Sequence, residues 1–103
     1  MLGKHQKAYD AFYQSTHENA FLDRKTEVLV GLAAAMAVNC APCTRYYLLE
    51  AKNAGISKGE IGDVTAKVMA VSAGQNKLQM QEVLSKYRID LNDDECSPLT
   101  EAN

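Results

Sequence analysis

Apolar residues recur at helical rather than strand-like spacing along most of this chain. Over residues 4–16 they follow an amphipathic pattern, which predicts a first helix that covers a core with one face. Residues 28–38 form an apolar run that surrounds the helix axis almost completely, so this second helix needs cover on most of its sides. Its small side chains let other backbones approach closely. The cover comes either from the rest of the chain or from another subunit.

Capping residues and a proline mark where the second and third helices begin and end. Asp23 is a predicted N-cap, because its carboxylate can accept hydrogen bonds from the first free amides of the second helix. Pro42 suits the first turn of a third helix that begins near Cys40, since the N–H that proline lacks has no partner there. Gly55 is predicted to close this helix in the left-handed conformation.

The rest of the chain is predicted to form two further helices and a tail. Ser57 and Glu60 fit a capping box at the start of a fourth helix. Gly74 predicts a break that is followed by a last helix. We therefore expect an all-α fold of about five to six helices, with a single domain over residues 1–90 and an acidic, mobile tail over residues 91–103.

Length and charge exclude several function classes. The chain has 103 residues, enough for one domain, and its 11 Lys and Arg against 13 Asp and Glu give a formal net charge of -2. Such a balance leaves no broad basic surface for nucleic acid. The polar start lacks a secretory signal, and the apolar run over residues 28–38 is too short to span a membrane. We predict a cytoplasmic protein that binds neither nucleic acid nor a membrane.

The C-x-x-C pair Cys40 and Cys43 carries the candidate chemistry. Two cysteines three residues apart at a helix start share one face within disulfide reach, and the helix dipole stabilises a thiolate there. The pair can then cycle between dithiol and disulfide, with one thiol protecting the other from over-oxidation. Inert packing of two small apolar side chains and metal binding stay open as alternatives. The metal alternative is weak, because no second paired motif is formed by the remaining candidates Cys96, His5 and His17.

Residues around the cysteine pair make the chain resemble one protein family. An apolar helix entered through the sequence LDRKTE precedes the pair, Ala51 and Gly55 follow at four-residue steps, and Glu60 and Ile61 come after the glycine. This pattern over residues 22–84 is similar to the carboxymuconolactone decarboxylase family, and within it to the alkylhydroperoxidase D-like branch that carries a cysteine pair. The resemblance implies an all-helical fold whose subunits form a homotrimer, or a homohexamer built from trimers, with the site near an interface.

The resemblance also implies an activity without flavin, haem or metal. The activity is reduction of hydroperoxides, or thiol–disulfide exchange with a peroxiredoxin-type partner, supported by an external thiol or dithiol reductant. In the family the second cysteine, here Cys43, attacks the peroxide and Cys40 resolves it, whereas the dipole argument favours Cys40. Full proton relays in the family have histidine where this chain has Tyr47 and glutamate where it has Val28. Glu27 is one position away, a rotation of about 100°, so we expect it to point elsewhere.

The candidate catalytic residues are therefore Cys40, Cys43, Tyr47 and Glu27, without a cofactor or metal. A phenol with a pKa of about 10 can hydrogen-bond to a sulfur but is a poor base at neutral pH, and Tyr47 is equally suited to packing in a core or interface. The leading prediction is a thiol–disulfide oxidoreductase that reduces hydroperoxides. The alternatives are a non-catalytic helical oligomer or binding module with inert cysteines and, from the family name alone, a decarboxylase, for which the chain lacks a matching set of His and Arg.

Overall fold

The computed structural model describes residues 3–92 and shows four α helices there: α1 (Lys4–Ser15), α2 (Arg24–Ala37), α3 (Ala41–Asn53) and α4 (Lys58–Lys86). The predicted all-α class is confirmed over these residues. None of the helices in this part of the chain combines the length and the apolar content that crossing a membrane requires. Residues 93–103, which contain Cys96 and most of the predicted tail, lie outside the described residues, as do residues 1–2.

Residues 3–92 form four helices rather than the five to six expected, because the predicted break at Gly74 is wrong. α4 continues through this glycine to Lys86. A single glycine costs a helix only about 1 kcal/mol relative to alanine, and the residues around Gly74 include several strong helix formers and no proline. The helix ends where Arg88 adopts a φ of 53° and the N–H of Ile89 donates to the carbonyl of Leu84 at 3.0 Å.

Contacts along the chain divide it into two units, residues 1–68 and residues 69–103. The first unit contains α1, α2, α3 and the beginning of α4, and it holds the cysteine pair. The second contains the remainder of α4. The domain over residues 1–90 and the tail that follows it stay predictions.

The buried core of the first unit lies where α2 packs against α3. Val28 and Leu32 of α2 are completely buried, and Ala35 of α2 and Ala51 of α3 are nearly so. Full burial of a Val or Leu side chain stabilises a fold by roughly 1.5–3 kcal/mol. This small set of apolar contacts therefore fixes the position of α3, and with it the position of the cysteine pair.

A close approach between Tyr47 and Gly31 joins the two helices next to this core. The ring of Tyr47 occupies the space that a Cβ at Gly31 would need, so any larger residue there would overlap the ring. Tyr47 lies one turn after Cys43 on α3, on the same side of the helix. Glycine at position 31 is therefore required by the packing that positions the second cysteine.

Ion pairs connect the start of α2 with α3 and α4. Arg24 pairs with Glu50 of α3, and Lys25 Nζ lies 2.5 Å from Glu60 Oε2 at the start of α4. The predicted capping box is also present, since the Glu60 N–H donates to Ser57 Oγ at 3.2 Å and the Ser57 N–H donates to Glu60 Oε1 at 3.1 Å. These pairs are partly exposed, so each stabilises the fold by little, but they link the start of α2 to both α3 and α4.

Candidate active site

The turn from α2 into α3 places Cys40 at a helix terminus. Asn39 adopts a φ of 57°, and its N–H donates to the carbonyl of Met36 at 3.1 Å. The N–H of Cys40 donates to the carbonyl of Ala35 at 2.9 Å. These two bonds form the Schellman motif that closes a helix, and asparagine tolerates the left-handed conformation better than most residues. Cys40 thus takes part in two helix ends: its N–H closes α2, and the same residue is the N-cap of α3.

Cys40 is the N-cap of α3 through its sulfur. Cys40 Sγ accepts a hydrogen bond from the N–H of Cys43 at 3.3 Å, and the carbonyl of Cys40 accepts one from the N–H of Thr44 at 2.9 Å. Pro42 lies in the first turn, as predicted. A free amide of the helix therefore points at the Cys40 sulfur, in the position where it stabilises a negative charge.

Cys40 and Cys43 are joined by a disulfide with a Cα–Cα distance of 5.3 Å. The separation lies within the usual range for this bond, and both residues are partly accessible. The predicted spacing of the two sulfurs is confirmed. Among residues 3–92 no three His, Cys, Asp or Glu side chains come together in a way that could hold a metal ion. The chemistry that this arrangement supports is the cycle between dithiol and disulfide.

Tyr47 lies four residues after Cys43, at the position where the family resemblance implied a histidine in a full proton relay. The pKa of Tyr47 is raised to about 12, mainly by burial and then by the charge of Tyr13, a hydrogen bond with Tyr13 and the charge of Glu27. The phenol is therefore neutral at physiological pH. Tyr47 can donate a hydrogen bond or pack, but it cannot remove a proton from a thiol.

Glu27 is buried, although its position on α2 led us to expect that it points elsewhere. Only 7% of the residue is exposed, and Glu27 Oε2 accepts a hydrogen bond from Arg24 at 2.7 Å. Its charge also contributes to the raised pKa values of Tyr46 and Tyr47. Val28, which stands at the glutamate position of related relays, is buried in the core. Glu27 and Val28 are adjacent and point in different directions from α2, so this part of the helix is covered on more than one side.

Aromatic rings connect the end of α1 with α3 beside these residues. The His17 ring lies 4.8 Å from Tyr13 and 6.0 Å from Tyr46, measured between centroids, and Tyr46 meets Tyr47 edge-on at 5.0 Å. His17 is partly buried by these contacts, whereas His5 is exposed. The contacts of His17 could not be predicted from the sequence, which does not show that the chain after α1 returns to α3.

A shallow, open cleft of about 710 Å³ lies beside the start of α3. Cys40 lines this cleft and Cys43 does not. The apolar part of its wall comes from Met36 of α2 and from Ala41, Leu48 and Leu49 of α3. The residue that caps α3 therefore also lines this open cleft.

The polar part of the cleft wall consists of Asn39, Thr44 and Arg45. Thr44 Oγ1 donates to the carbonyl of Cys40 at 2.8 Å. Arg45 is exposed, and within residues 3–92 its guanidinium forms no ion pair. Sequence reasoning missed Arg45 and the cleft. The available signal was the helical spacing that puts Arg45 on one face of α3 with Ala41, Leu48 and Leu49.

A family model covers residues 3–85, and its description is the carboxymuconolactone decarboxylase family. The chain belongs to this family. The match includes α1, so it begins earlier than the pattern over residues 22–84 that carried the resemblance. Membership in the carboxymuconolactone decarboxylase family agrees with the all-α fold and with the cysteine pair at the start of α3.

The fold is also similar to a solved structure. A crystal structure of a protein from Methanobacterium thermoautotrophicum, solved as a structural-genomics target, superposes with a TM-score of 0.72 at 25% sequence identity. The alignment covers 81% of this chain and 95% of that chain. No curated protein matches the chain. Family and fold are thus shown by comparison, and the activity has to be inferred from the site itself.

Proposed function

We propose that the protein is a thiol–disulfide oxidoreductase that reduces hydroperoxides through Cys40 and Cys43. The observation that carries this proposal is the disulfide at the start of α3, where Cys40 Sγ accepts a hydrogen bond from the Cys43 amide. In the reduced protein the same amide is in place to stabilise a thiolate, which is the reactive form of cysteine. Family membership supports the proposal, since the resemblance to the alkylhydroperoxidase D-like branch rests on this pair.

The proposed reaction uses two thiols and one hydroperoxide. A thiolate attacks the terminal oxygen of the hydroperoxide, the O–O bond breaks, and the departing alkoxide takes a proton to become an alcohol. The sulfur has become a sulfenic acid, which the second thiol attacks to form the disulfide and release water. An external thiol or dithiol then reduces the disulfide. The reduced pair can also pass its electrons to the disulfide of a peroxiredoxin-type partner by thiol–disulfide exchange, which reduces the partner and oxidises Cys40 and Cys43.

Glu27 and Tyr47 have different roles in this proposal. Glu27 is the buried carboxylate of the first unit, and we assign it the role of proton acceptor for the second thiol. Tyr47 is assigned a packing role, as a neutral side chain whose ring fills the space next to Gly31. The raised pKa of Tyr47 supports this role, because a phenol that stays protonated does not accept the proton that a thiol releases.

A homo-oligomer, a trimer or a hexamer, is part of the proposal. Support comes from exposed apolar side chains on α1, on α2 and directly after α2: Phe12 is 64% exposed, Val30 55% and Val38 74%. Association would cover this surface. Light scattering should give a mass of three or six times 11.3 kDa, whereas a monomer mass would overturn this part of the proposal.

We also propose that the protein works in the cytoplasm. A reducing compartment keeps thiols available, so a C-x-x-C disulfide there is transient and can be restored after each turnover. No flavin, haem or metal takes part in the proposed cycle, because oxidation of the two thiols to a disulfide supplies both electrons that reduce the hydroperoxide.

Counting thiols after mixing with hydroperoxide tests the proposed function. The background is Cys96→Ser, so that only the pair is counted, and the variants are Cys40→Ser and Cys43→Ser. Reduced parent protein should lose two thiols for each hydroperoxide consumed and should react faster than free cysteine. Loss of thiols in the parent and in Cys43→Ser at the slow rate of free cysteine would contradict the enzymatic assignment. Cysteines that iodoacetamide labels only after denaturation would instead support an inert helical module.

A further inference from the structure

The loop between α1 and α2 presents an apolar tip to solvent. Phe21 is 99% exposed, so its ring makes almost no contact with the rest of its own chain, and the neighbouring Leu22 is also exposed. Three residues before the ring lies Glu18, an exposed carboxylate that forms no ion pair within residues 3–92. Aromatic side chains are enriched in protein interfaces, because they bury a large apolar area there.

The cleft beside the start of α3 has the complementary chemistry. Its apolar wall includes Met36 of α2 and Leu48 and Leu49 of α3. Its charged residue is Arg45, whose guanidinium has no ion-pair partner in the described part of the chain. The cleft is shallow and open, so it does not surround a small molecule as ligand pockets do. A surface of this shape suits a protruding side chain of another protein.

We propose that the loop over residues 18–22 of one copy docks in this cleft of a second copy, with Phe21 against the leucines and Glu18 beside Arg45. The inference rests on the homo-oligomer of the proposed function and names the segment and the surface that join its subunits. Glu18 and Phe21 are at most about 10 Å apart along the chain, and Arg45 lies about 4.5 Å from Leu48 along the axis of α3. One loop can therefore reach both parts of the wall.

A contact of this kind brings the second copy next to the cysteine pair. The loop and the cleft are different surfaces, so each copy gives one loop and receives another, and such head-to-tail contacts form a ring when the rotation closes. Cys40 and Thr44 also line the cleft, so the docked loop lies against the first turn of α3. The wall beside the pair is then complete only in the assembly.

Light scattering and sedimentation over a range of protein concentrations test the contact. Phe21→Ala should raise the concentration for half-association about tenfold or more, since buried aromatic residues contribute most to an interface. The matched control is Tyr87→Ala, which removes an exposed ring of the other unit and should leave association unchanged. Because Phe21 contacts so little of its own chain, Phe21→Ala should keep the far-ultraviolet circular dichroism spectrum of the parent.

Reversal of the two charges tests the polar part of the contact. Glu18→Lys and Arg45→Glu should each raise the concentration for half-association about fivefold. The double variant should recover most of this loss, because the two charges attract each other again. Lys52→Glu reverses an exposed cation on α3 outside the cleft and should match the parent. Additive losses in the double variant would overturn the pairing of Glu18 with Arg45.

A photo-cross-link identifies the surface that the loop meets. Protein with p-benzoylphenylalanine in place of Phe21 is mixed with ¹⁵N-labelled parent and allowed to exchange subunits, and mass spectrometry locates the cross-links between the two. We expect them within residues 36–49 of the labelled copy, which contain the cleft. Cross-links only outside these residues, or only within one copy, would overturn the inference.

The outcomes separate this inference from the proposed function. An oligomer of unchanged stability in Phe21→Ala would overturn the docking contact and leave the homo-oligomer standing. A parent protein that stays monomeric would overturn both, whereas thiol counting would still test the reaction of the cysteine pair. Association that depends on Phe21, in a protein that consumes no hydroperoxide, would overturn the proposed reaction and support the contact.

Discussion

Replacing Gly31 with alanine tests the packing that holds α3, and with it the cysteine pair, against α2. A Cβ at this position would overlap the ring of Tyr47, so either the ring or one of the helices has to move. Overpacking of a well-filled contact typically costs about 1–3 kcal/mol. Alanine in a helix interior returns roughly 0.5–1 kcal/mol, because glycine loses more backbone entropy on folding. The net expectation is a loss of about 1 kcal/mol.

Urea and thermal unfolding followed by circular dichroism measure this loss. For a chain of this size a change of 1 kcal/mol corresponds to roughly 4–8 °C in Tm. Gly62→Ala is the matched control, since Gly62 is also inside a helix of the first unit and a Cβ there would meet nothing within 4 Å. We expect Gly62→Ala to stabilise the protein by about 0.5–1 kcal/mol.

The comparison between the two alanine variants decides the outcome. If Gly31→Ala raises Tm as much as Gly62→Ala does, then Tyr47 does not occupy the space next to Gly31 and the described position of α3 is wrong. A second variant keeps the result interpretable. Adding Tyr47→Ala to Gly31→Ala removes the ring, and we expect it to abolish the penalty that Gly31→Ala causes in the presence of Tyr47.

Three further predictions follow from the same structure. Because its pKa is raised to about 12, above the unfolded value of about 10, Tyr47 contributes stability that is complete below pH 10 and lost as the pH rises toward 12. Urea unfolding should therefore show a smaller alkaline loss in Tyr47→Phe, and an equal loss in both proteins would contradict the burial of the phenol. Gly55→Ala should cost about 1–2 kcal/mol in the same assay, since Gly55 has a φ of 72°; an unchanged midpoint would argue against the cap. Glu27→Gln should slow conversion of the sulfenic acid to the disulfide about 100-fold in rapid-quench experiments, and an unchanged rate would remove Glu27 from the mechanism.

Local signals in the sequence were enough to predict where most helices begin and end. Asp23 caps α2 by accepting a hydrogen bond from the Thr26 N–H at 2.7 Å, and Gly55 takes the left-handed conformation after α3. Both features depend on a few neighbouring residues, so a single sequence contains the necessary information. Gly74 shows the limit of such signals, because continuation of a helix depends on the summed propensity of the residues on both sides.

The surroundings of the cysteine pair could be predicted only in part. The pair, its spacing and its position at a helix start follow from the sequence around Pro42. Burial of Glu27 does not follow from the sequence. The rotation angle of Glu27 on α2 does not show that the Arg24 side chain hydrogen-bonds to it. Helical spacing could have predicted the α3 side of the cleft, but not that Met36 of α2 completes its wall. A feature that is formed by residues of two helices can be predicted only when the relative position of those helices is known.

The pH dependence of iodoacetamide labelling at each cysteine tests the central claim most directly, because it reports the thiolate fraction of each sulfur. The reduced protein is labelled between pH 5 and 10, and mass spectrometry assigns the label to Cys40 or Cys43. We predict that labelling of Cys40 has its midpoint well below the free-cysteine value of about 8.5, and below the midpoint of Cys43. A midpoint for Cys40 at or above 8.5, or no labelling of either sulfur in the folded protein, would contradict the claim that the start of α3 activates this pair.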